Sequence, residues 1–249
     1  MSKRAVILAG GKGIRLRPYT VMLPKPLMPM GEFPILEVIL RQLSLAGFSH
    51  ITLAVNHQAE IIRNVIGDGK RWGIKVDYSL EQKALGTLGP LTLIEDLPEQ
   101  FLFMNADLLT DLDFSAFYAD HLHGGVDFSI AGFYRENPSS FGELQINECG
   151  EVRGFREKPI NRMLVSMGVY MMSRGLLAQV PKEQPYGVDT FMVDLIRGQN
   201  HPRVFIHEGN WLDIGTPEDY HEAVLLFEKQ RDHLLYGNHE AFSVKQPKP

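Results

Sequence analysis

Short apolar runs and helical patterns alternate along the first half of the chain. Four of the runs have the length and the β-branched or aromatic content of buried strands: RAVIL (4–8), ITLAV (51–55), IKVDY (74–78) and FLFMN (101–105). Apolar residues recur at helical spacing over 34–46 and 59–66, and a further helix is predicted near 90–95. Strands that alternate with helices in this way predict a mainly parallel sheet covered on both faces.

Strand-like segments dominate the second half of the chain until helical patterns return near its end. The strand candidates are 127–135, 141–148, 151–158 and 165–172. Cys149-Gly150 separates the middle two and is a hairpin signal. Helices are predicted over 188–197 and 217–235. The pattern therefore predicts one α/β domain whose carboxyl half contains an inserted β-rich layer.

Composition and charge narrow the class of protein. The 249 residues are 44% hydrophobic and 22% charged, which is typical of a globular protein with a sizeable core. The net charge of −5 argues against a nucleic-acid partner, although a local cluster of Lys and Arg can still bind a small polyanion. Cys149 is the one cysteine, so no internal disulfide is expected. No apolar run approaches the ~18 residues of a membrane span, so we expect a cytoplasmic protein without a membrane partner.

A glycine-rich loop follows the first predicted strand. Gly10, Gly11 and Gly13 allow sharp turns and expose amide groups, and ligands of α/β sheets bind at this end of a strand. The loop matches neither the dinucleotide fingerprint nor the P-loop, and the glycines alone are also compatible with a plain turn. Arg15 inside the loop and Lys25 between two prolines favour phosphate, because both cations could neutralise charge on a phosphoryl group.

The pattern GGxGxRLxPxT (10–20) followed by PKPL (24–27) resembles the signature of the sugar-1-phosphate nucleotidyltransferases. The resemblance covers about residues 4–220 and is nearest to the mannose- and heptose-1-phosphate guanylyltransferase branch. It implies a Rossmann-like mixed, mainly parallel sheet flanked by helices, the nucleotide-diphospho-sugar transferase fold, with an inserted β-rich sugar-binding layer.

The resemblance also implies a division of the chain. A single, stand-alone catalytic domain is expected over 1–235, with a nucleotide-binding half at 1–110. The sugar-binding half, with a second metal ligand, is expected over 125–215, and 236–249 is expected to form a loosely ordered tail.

Two aspartates stand at junctions between an apolar run and a turn. Asp107 follows FLFMN, and Asp213 lies in WLDIGTP. A lone aspartate at such a place is more often part of a turn or a helix cap. In the family, however, aspartates in a G-D pair and in a W-x-D-x-G-T-P stretch share Mg²⁺. The resemblance therefore implies Mg²⁺ bound by Asp107 and Asp213, with Ala106 where the family usually has glycine.

Neighbouring polar residues are expected to have structural roles. Asp111 and Asp113 are predicted to cap a helix over 114–122. His121 and His123 are two residues apart on that helix, a spacing that does not place them on one face as metal ligands.

The resemblance assigns residues to the sugar phosphate. These residues lie at a strand end, in the strand FGELQI, in an E-K-P turn and in the strand VSMGVYMM. They are Asn105, Gly142, Glu157, Lys158 and Ser166. Ser166 stands where the family has an asparagine, and serine offers fewer hydrogen bonds. The identity of the sugar is therefore left open.

Residues 78–90 resemble the E-x-x-x-L-G-T-x-G stretch of guanylyl- and uridylyl-transferring relatives. Glu81 could accept hydrogen bonds from the adjacent N1–H and amino group of guanine, whereas uracil and thymine present one N–H there. The rest of the implied nucleotide site consists of residues beside the glycines and in this stretch: Leu8, Ala9, Gly86 and Thr87. A uridylyl-transferring relative can also carry a glutamate here, so GTP is favoured without excluding UTP or dTTP.

The implied reaction is an in-line, Mg²⁺-assisted displacement in which a sugar 1-phosphate attacks the α-phosphorus of a nucleoside triphosphate and pyrophosphate leaves. Arg15 and the loop amides would hold the pyrophosphate, Lys25 the reacting phosphates and Lys158 the sugar phosphate. The alternatives are uridylyl or thymidylyl transfer and a non-catalytic nucleotide-sugar binding module. Apolar residues at 225–227 are expected to pack inward, and the alternative is that they form a contact between subunits of a homo-oligomer.

Overall fold

A seven-stranded sheet forms the centre of the computed structural model, which describes residues 3–56 and 58–237. The strands in chain order are β1 (Lys3–Leu8), β2 (Pro29–Met30), β3 (Phe33–Pro34), β4 (Phe48–Val55), β5 (Lys75–Leu80), β6 (Gln100–Asn105), β7 (Leu108–Thr110), β8 (Phe128–Pro138), β9 (Glu143–Ile146), β10 (Val152–Arg156), β11 (Ile160–Ser173), β12 (Arg203–His207) and β13 (Trp211–Asp213). The α-helices are α1 (Ile35–Leu45), α2 (Ala59–Ile66), α3 (Phe114–Gly124), α4 (Val188–Arg197) and α5 (Pro217–Tyr236).

The main sheet has the order β12-β8-β11-β6-β1-β4-β5. Strands β6, β1, β4 and β5 are parallel, and β12 is parallel to β8. Strand β11 runs antiparallel to both of its neighbours, β6 and β8. The predicted mixed, mainly parallel sheet is therefore confirmed. The carboxyl half also forms the predicted β9–β10 hairpin around Cys149-Gly150.

Both faces of the sheet are covered by apolar side chains. Successive side chains of β1 point to opposite faces. Ala5 and Ile7 belong to one buried cluster, whereas Val6 belongs to a second with Phe103 and Phe191. Burial on both faces explains why the first strand is a continuous apolar run without polar alternation.

The structure corrects several predicted elements. The helix predicted near 90–95 is a short 3₁₀ helix over Gly89–Leu93, and the chain leaves the helical conformation at Ile94, which is extended. Strands β2, β3, β7, β12 and β13 were not predicted. Strands β2, β3, β7 and β13 have only two or three residues each, too few for a periodic pattern to be recognised.

The carboxyl-terminal helix continues one residue past its predicted end, to Tyr236. Within it Phe227 packs inward and Leu225 is exposed. Residues 238–249 of the predicted tail lie outside the described residues. No helix in the described part of the chain is long and apolar enough to cross a membrane.

His121 on α3 is buried and links the helix to the sheet. Its ring nitrogens lie 2.8 Å from Ser129 Oγ and 2.7 Å from Gln100 Oε1. Burial lowers the pKa of His121, and this outweighs the opposing effect of nearby carboxylates. The folded protein therefore keeps the imidazole neutral at pH values where the unfolded chain takes up a proton.

We expect the free energy of unfolding to fall as the pH drops below ~6.5, the ordinary histidine pKa, by up to about 1.4 kcal/mol per pH unit from this residue. Urea denaturation between pH 8 and pH 5 measures the slope. His121→Gln should flatten it, and His123→Gln, on the exposed side of the same helix, should not. An unchanged slope in His121→Gln would show that another group is responsible.

Candidate active site

The glycine-rich loop begins where β1 ends and folds back on itself. The amide of Ala9 donates to the carbonyl of Ala54 at 2.8 Å, so the loop leaves the sheet after this residue. Gly13 has φ +58°, and a Cβ there would lie 2.9 Å from the Thr20 side chain. The Thr20 hydroxyl donates to the Gly13 carbonyl at 2.6 Å. Glycine is required at position 13 for both its conformation and this close approach.

Lys25 is buried in a single 3₁₀ turn and points at the end of β6. It lies in the turn Lys25–Leu27, with Pro24 in extended conformation before it. Its ammonium donates to Oδ2 of Asp107. A lysine is seldom this buried without a charged partner. The loop therefore carries a fixed cation to the carboxyl edge of the parallel strands.

Asp107 and Asp213 are brought together by backbone pairing between β7 and β13. These strands are antiparallel, with Asp213 opposite Leu108. The amide of Ile214 also donates to the carbonyl of Asp107 at 3.0 Å. Two residues that are 106 positions apart in the sequence are thus side by side.

The electrostatics of the two carboxylates suit a divalent cation. Burial, and then the negative charge of Asp107, raises the pKa of Asp213, whereas Lys25 and Arg15 act in the opposite direction. Oδ1 of Asp107 is buried and has no hydrogen-bond partner among the described residues. A cation would satisfy that oxygen and relieve the repulsion.

The described residues contain no group of three or more His, Cys, Asp or Glu side chains that converges as a metal site. Two carboxylates alone match the way Mg²⁺ is usually held, with the remaining ligands supplied by phosphates and water. The donor set therefore fits a metal that binds together with a nucleotide.

Arg15 lies beside the segment that follows Asp213. A Cβ on Gly215 would lie 3.3 Å from Nη2 of Arg15 and 3.5 Å from Cζ, so the guanidinium rests against the backbone two residues after Asp213. The Arg15 side chain is otherwise exposed. Its donors are free to bind an anion above the aspartate pair.

A cavity of about 310 Å³ opens between the glycine-rich loop and the segment after β5. Its lining contains most of the predicted nucleotide residues: Leu8, Gly10, Gly11, Glu81, Gly86 and Thr87. Asn105 and Asp107 also line it. Asp213 lines a second cavity of about 560 Å³, together with Trp211 and Arg135. Each aspartate of the pair therefore lines a ligand-sized cavity.

Glu81 is the buried carboxylate of the smaller cavity. Its backbone amide continues the sheet by donating to the Val55 carbonyl at 3.0 Å. Its carboxylate accepts from the amide of Leu85 at 3.1 Å and from the Asn56 side chain, and burial raises its pKa. A Cβ on Gly10 would lie 2.4 Å from Oε1 of Glu81. The absence of a side chain at Gly10 lets the glycine-rich loop and the Glu81 carboxylate lie in contact.

Residues 4–230 match the family model described as "Nucleotidyl transferase". The chain belongs to the nucleotidyl transferase family. A mannose-1-phosphate guanyltransferase of Aspergillus oryzae is 31% identical over 256 residues, which span 96% of this chain and 69% of that protein. A mannose-1-phosphate guanyltransferase beta-A of Xenopus laevis is 31% identical over 90% of this chain and 64% of its own length.

Solved structures agree with this assignment. HddC from Yersinia pseudotuberculosis, 27% identical, superposes with a TM-score of 0.70 over 90% of this chain and 99% of its own. A putative glucose-1-phosphate thymidylyltransferase from Bacillus anthracis has a TM-score of 0.75 over 90% of this chain and 95% of its own, but at 20% identity it shows the fold alone. The prediction of a sugar-1-phosphate nucleotidyltransferase is confirmed.

In this nucleotidyltransferase, residues 85–88 are supported by a distant segment that the sequence did not reveal. Gly86 has φ +76°, and a Cβ there would lie 2.8 Å from the carbonyl oxygen of Tyr186. Tyr186 donates its amide to Leu85 at 2.9 Å and accepts from Leu88 at 3.0 Å. Its hydroxyl lies 2.5 Å from Asp194 on α4, and burial and this carboxylate raise the pKa of Tyr186 to about 12.

Four of the five predicted sugar residues lie on the arm formed by β8 to β11, whereas Asn105 ends β6. A Cβ on Gly142 would lie 3.2 Å from Oε2 of Glu157, and Lys158 follows with φ +45°. All three are exposed, and none lines either cavity. Ser166 on β11 donates its hydroxyl to that of Tyr170 at 2.9 Å. Their contact with a sugar phosphate stays a prediction.

A bulge in β11 joins this arm to Asn105 at the smaller cavity. Its register against β8 shifts between Ser166 and Tyr170. Gly168 in the bulge has φ +76°, and a Cβ there would lie 2.7 Å from Nδ2 of Asn105. The indole of Trp211 donates to the carbonyl of Met167 at 3.0 Å. The bulge thereby fits Asn105 and the start of β13 against the sheet.

One predicted cap is wrong. Asp113 caps α3 by accepting from the amides of Ser115 and Ala116, both at 2.9 Å. Asp111 does not cap the helix; its carboxylate binds the Asn210 amide at 2.7 Å and lies 2.9 Å from His207 Nε2. Those partners are almost a hundred residues away, so local spacing could not reveal them.

Proposed function

We propose that this nucleotidyltransferase moves the guanylyl group of GTP to a sugar 1-phosphate, with Mg²⁺ held by Asp107 and Asp213. The observation that carries the choice of base is Glu81, a buried carboxylate in the cavity formed with the glycine-rich loop. It has acceptor capacity for the two adjacent donors of guanine. In support, two relatives are named mannose-1-phosphate guanyltransferases, and HddC was solved in complex with GMP-PN, at 26% identity.

The chain's own residues account for catalysis by positioning and charge stabilisation. An oxygen of the sugar 1-phosphate forms a bond to the α-phosphorus while the bond from that phosphorus to pyrophosphate breaks. Lys25 steadies the reacting phosphates, and Arg15 with the amides of Gly10 and Gly11 binds the leaving pyrophosphate. Lys158 orients the sugar phosphate. Bound Mg²⁺ would supply neutralisation of phosphate charge.

Pyrophosphate release with Mg²⁺ tests the proposal, with GTP, UTP, dTTP, ATP and CTP crossed against a panel of sugar 1-phosphates. Mannose 1-phosphate comes first because of the relatives' names, and heptose and hexosamine 1-phosphates follow. Release with GTP and one sugar supports the proposal. Release with UTP or dTTP alone would overturn the base. Binding of a nucleotide sugar without turnover in either direction would overturn the activity.

Glu81→Gln should lower kcat/KM for GTP by roughly 10- to 100-fold, the value of a charge-assisted hydrogen bond, and lower that for UTP much less. The substitution keeps the size of the side chain and turns one acceptor oxygen into a donor. Competition between GTP and UTP in one assay measures the change. Glu95→Gln is the matched control, because Glu95 is an exposed carboxylate that follows the 3₁₀ helix Gly89–Leu93 and does not line the cavity. Equal losses for both triphosphates in Glu81→Gln would contradict base reading by this residue.

A further inference from the structure

The strand that carries Asp213 has little support of its own. Strand β13 is three residues long and pairs with β7, also three residues, in a two-stranded sheet separate from the main sheet. An isolated pair of this length is marginally stable. Asp213 also lies beside a second carboxylate, which favours separation of the strands. Other contacts must therefore hold β13 in register.

Asn210, the residue before β13, is held through its backbone amide, its backbone carbonyl and its side-chain Nδ2. Its backbone amide donates to Oδ1 of Asp111 at 2.7 Å, and its side-chain Nδ2 donates to Oδ2 at 2.6 Å. Its carbonyl accepts from the Thr110 hydroxyl at 2.8 Å and from the Asp111 amide at 3.3 Å. Asp111 thus forms hydrogen bonds to Asn210 through both carboxylate oxygens and through its backbone amide.

The whole turn from β12 to β13 wraps around this carboxylate. His207 Nε2, at the end of β12, lies 2.9 Å from Oδ1 of Asp111. A Cβ on Gly209 would lie 2.2 Å from the same oxygen, so the backbone could not pass there with a side chain. The turn connects an edge strand of the main sheet to β13, and Asp111 defines its path.

Helix α5 contributes further contacts to Asn210 and Asp111. Nδ2 of Asn210 also donates to Oε1 of Gln230 at 3.0 Å, and Nε2 of His233 lies 3.7 Å from Oδ2 of Asp111. The charged or titratable groups that face Asp111 are therefore His207 and His233. Burial opposes ionisation, but the hydrogen bonds from His207 and Asn210 outweigh it and lower the pKa of Asp111 to about 2. The carboxylate is ionised at neutral pH.

We infer that Asp111 is a positioning residue of the active site, which fixes Asn210 and thereby keeps Asp213 beside Asp107. The inference rests on the proposed binding of Mg²⁺ by these two aspartates. Asp111 lines neither the nucleotide cavity nor the cavity that Asp213 lines. Its loss should therefore weaken metal binding far more than binding of the triphosphate itself.

Asp111→Asn removes the charge and one acceptor oxygen at nearly constant volume. Electron paramagnetic resonance of Mn²⁺, with a non-hydrolysable GTP analogue present, should show a metal Kd raised by about 10- to 100-fold, as for other residues that orient metal ligands. In pyrophosphate release, the Mg²⁺ concentration for half-maximal rate should rise likewise, and excess Mg²⁺ should restore much of kcat.

Asp113→Ala is the control, because Asp113 caps α3 two residues away without contacting Asn210. It should lower thermal stability and leave metal affinity unchanged. Asn210→Ala keeps the backbone hydrogen bond to Asp111 and should therefore lose less Mn²⁺ affinity than Asp111→Asn. If Asp111→Asn does not fold, the Mn²⁺ affinity of Asn210→Ala tests the inference instead. Wild-type Mn²⁺ affinity in the folded variants would overturn the inference. Absence of Mg²⁺-dependent turnover in the wild type would instead overturn the proposed function.

Discussion

Asp107→Asn is expected to lower kcat/KM for pyrophosphate release by about 10³-fold or more, since a catalytic metal contributes several kcal/mol and each 1.36 kcal/mol is a factor of ten. The substitution removes one of two carboxylates at the proposed metal site. It also removes the charge partner of the buried Lys25. The loss should therefore affect both metal affinity and the position of the cation.

Steady-state kinetics over a range of Mg²⁺ concentrations measure this effect. Asp68→Asn is the control, because Asp68 is exposed and pairs with Lys70 away from the cavities. It should retain wild-type kinetics. Circular dichroism should show that Asp107→Asn is folded. A folded variant with more than a tenth of the wild-type kcat/KM would contradict the assignment of Asp107.

Lys25→Met is expected to lower kcat by about 10²- to 10³-fold, the usual cost of removing one fixed donor to a developing charge. Methionine has nearly the length of lysine and suits a buried site, so the change removes the charge with little change in packing. Lys25→Arg should not restore the rate, because a planar guanidinium cannot replace a compact ammonium between the loop and Asp107.

Lys70→Met, at an exposed and ion-paired lysine, is the matched control and should keep the wild-type rate. The double variant Lys25→Met/Asp107→Asn should lose less than the product of the single losses, since contacting residues of one charge network are not additive. Strict additivity would show that Lys25 and Asp107 act independently. A full rate in Lys25→Met would exclude it from the chemistry.

The parts of the fold that the sequence predicted well are those with local causes. The bounds of α2 and α4 follow from apolar spacing and from the glycines that end each helix, Gly67 and Gly198. The short strands β7 and β13 carry no such local signal. Their pairing depends on residues 108–110 and 211–213 meeting in three dimensions.

The same distinction holds for the candidate site. The loop that contains Gly13, Arg15 and Lys25 was recognised because backbone freedom and cation spacing lie within one short stretch. The contact of Gly86 with Tyr186 was not, because the second residue has no motif around it. Asp111 was predicted to be a cap because it lies just before a helix, where an aspartate commonly caps the first turn. In the structure Asp113 alone caps α3.

The sequence by itself determined the class of this protein, because the motif from Gly10 to Leu27 resembles the nucleotidyltransferase signature and the resemblance assigns Asp107, Asp213 and Glu81 to the site. Only the tertiary structure decided how those groups meet. It placed Asp213 opposite Leu108, set the orphaned oxygen of Asp107 beside it, and bound Asn210 to Asp111. The physical reason is that a motif reflects the chemistry of residues close together in the sequence. The two carboxylates of Asp107 and Asp213 come close enough to bind one cation only when β7 and β13 pair in three dimensions.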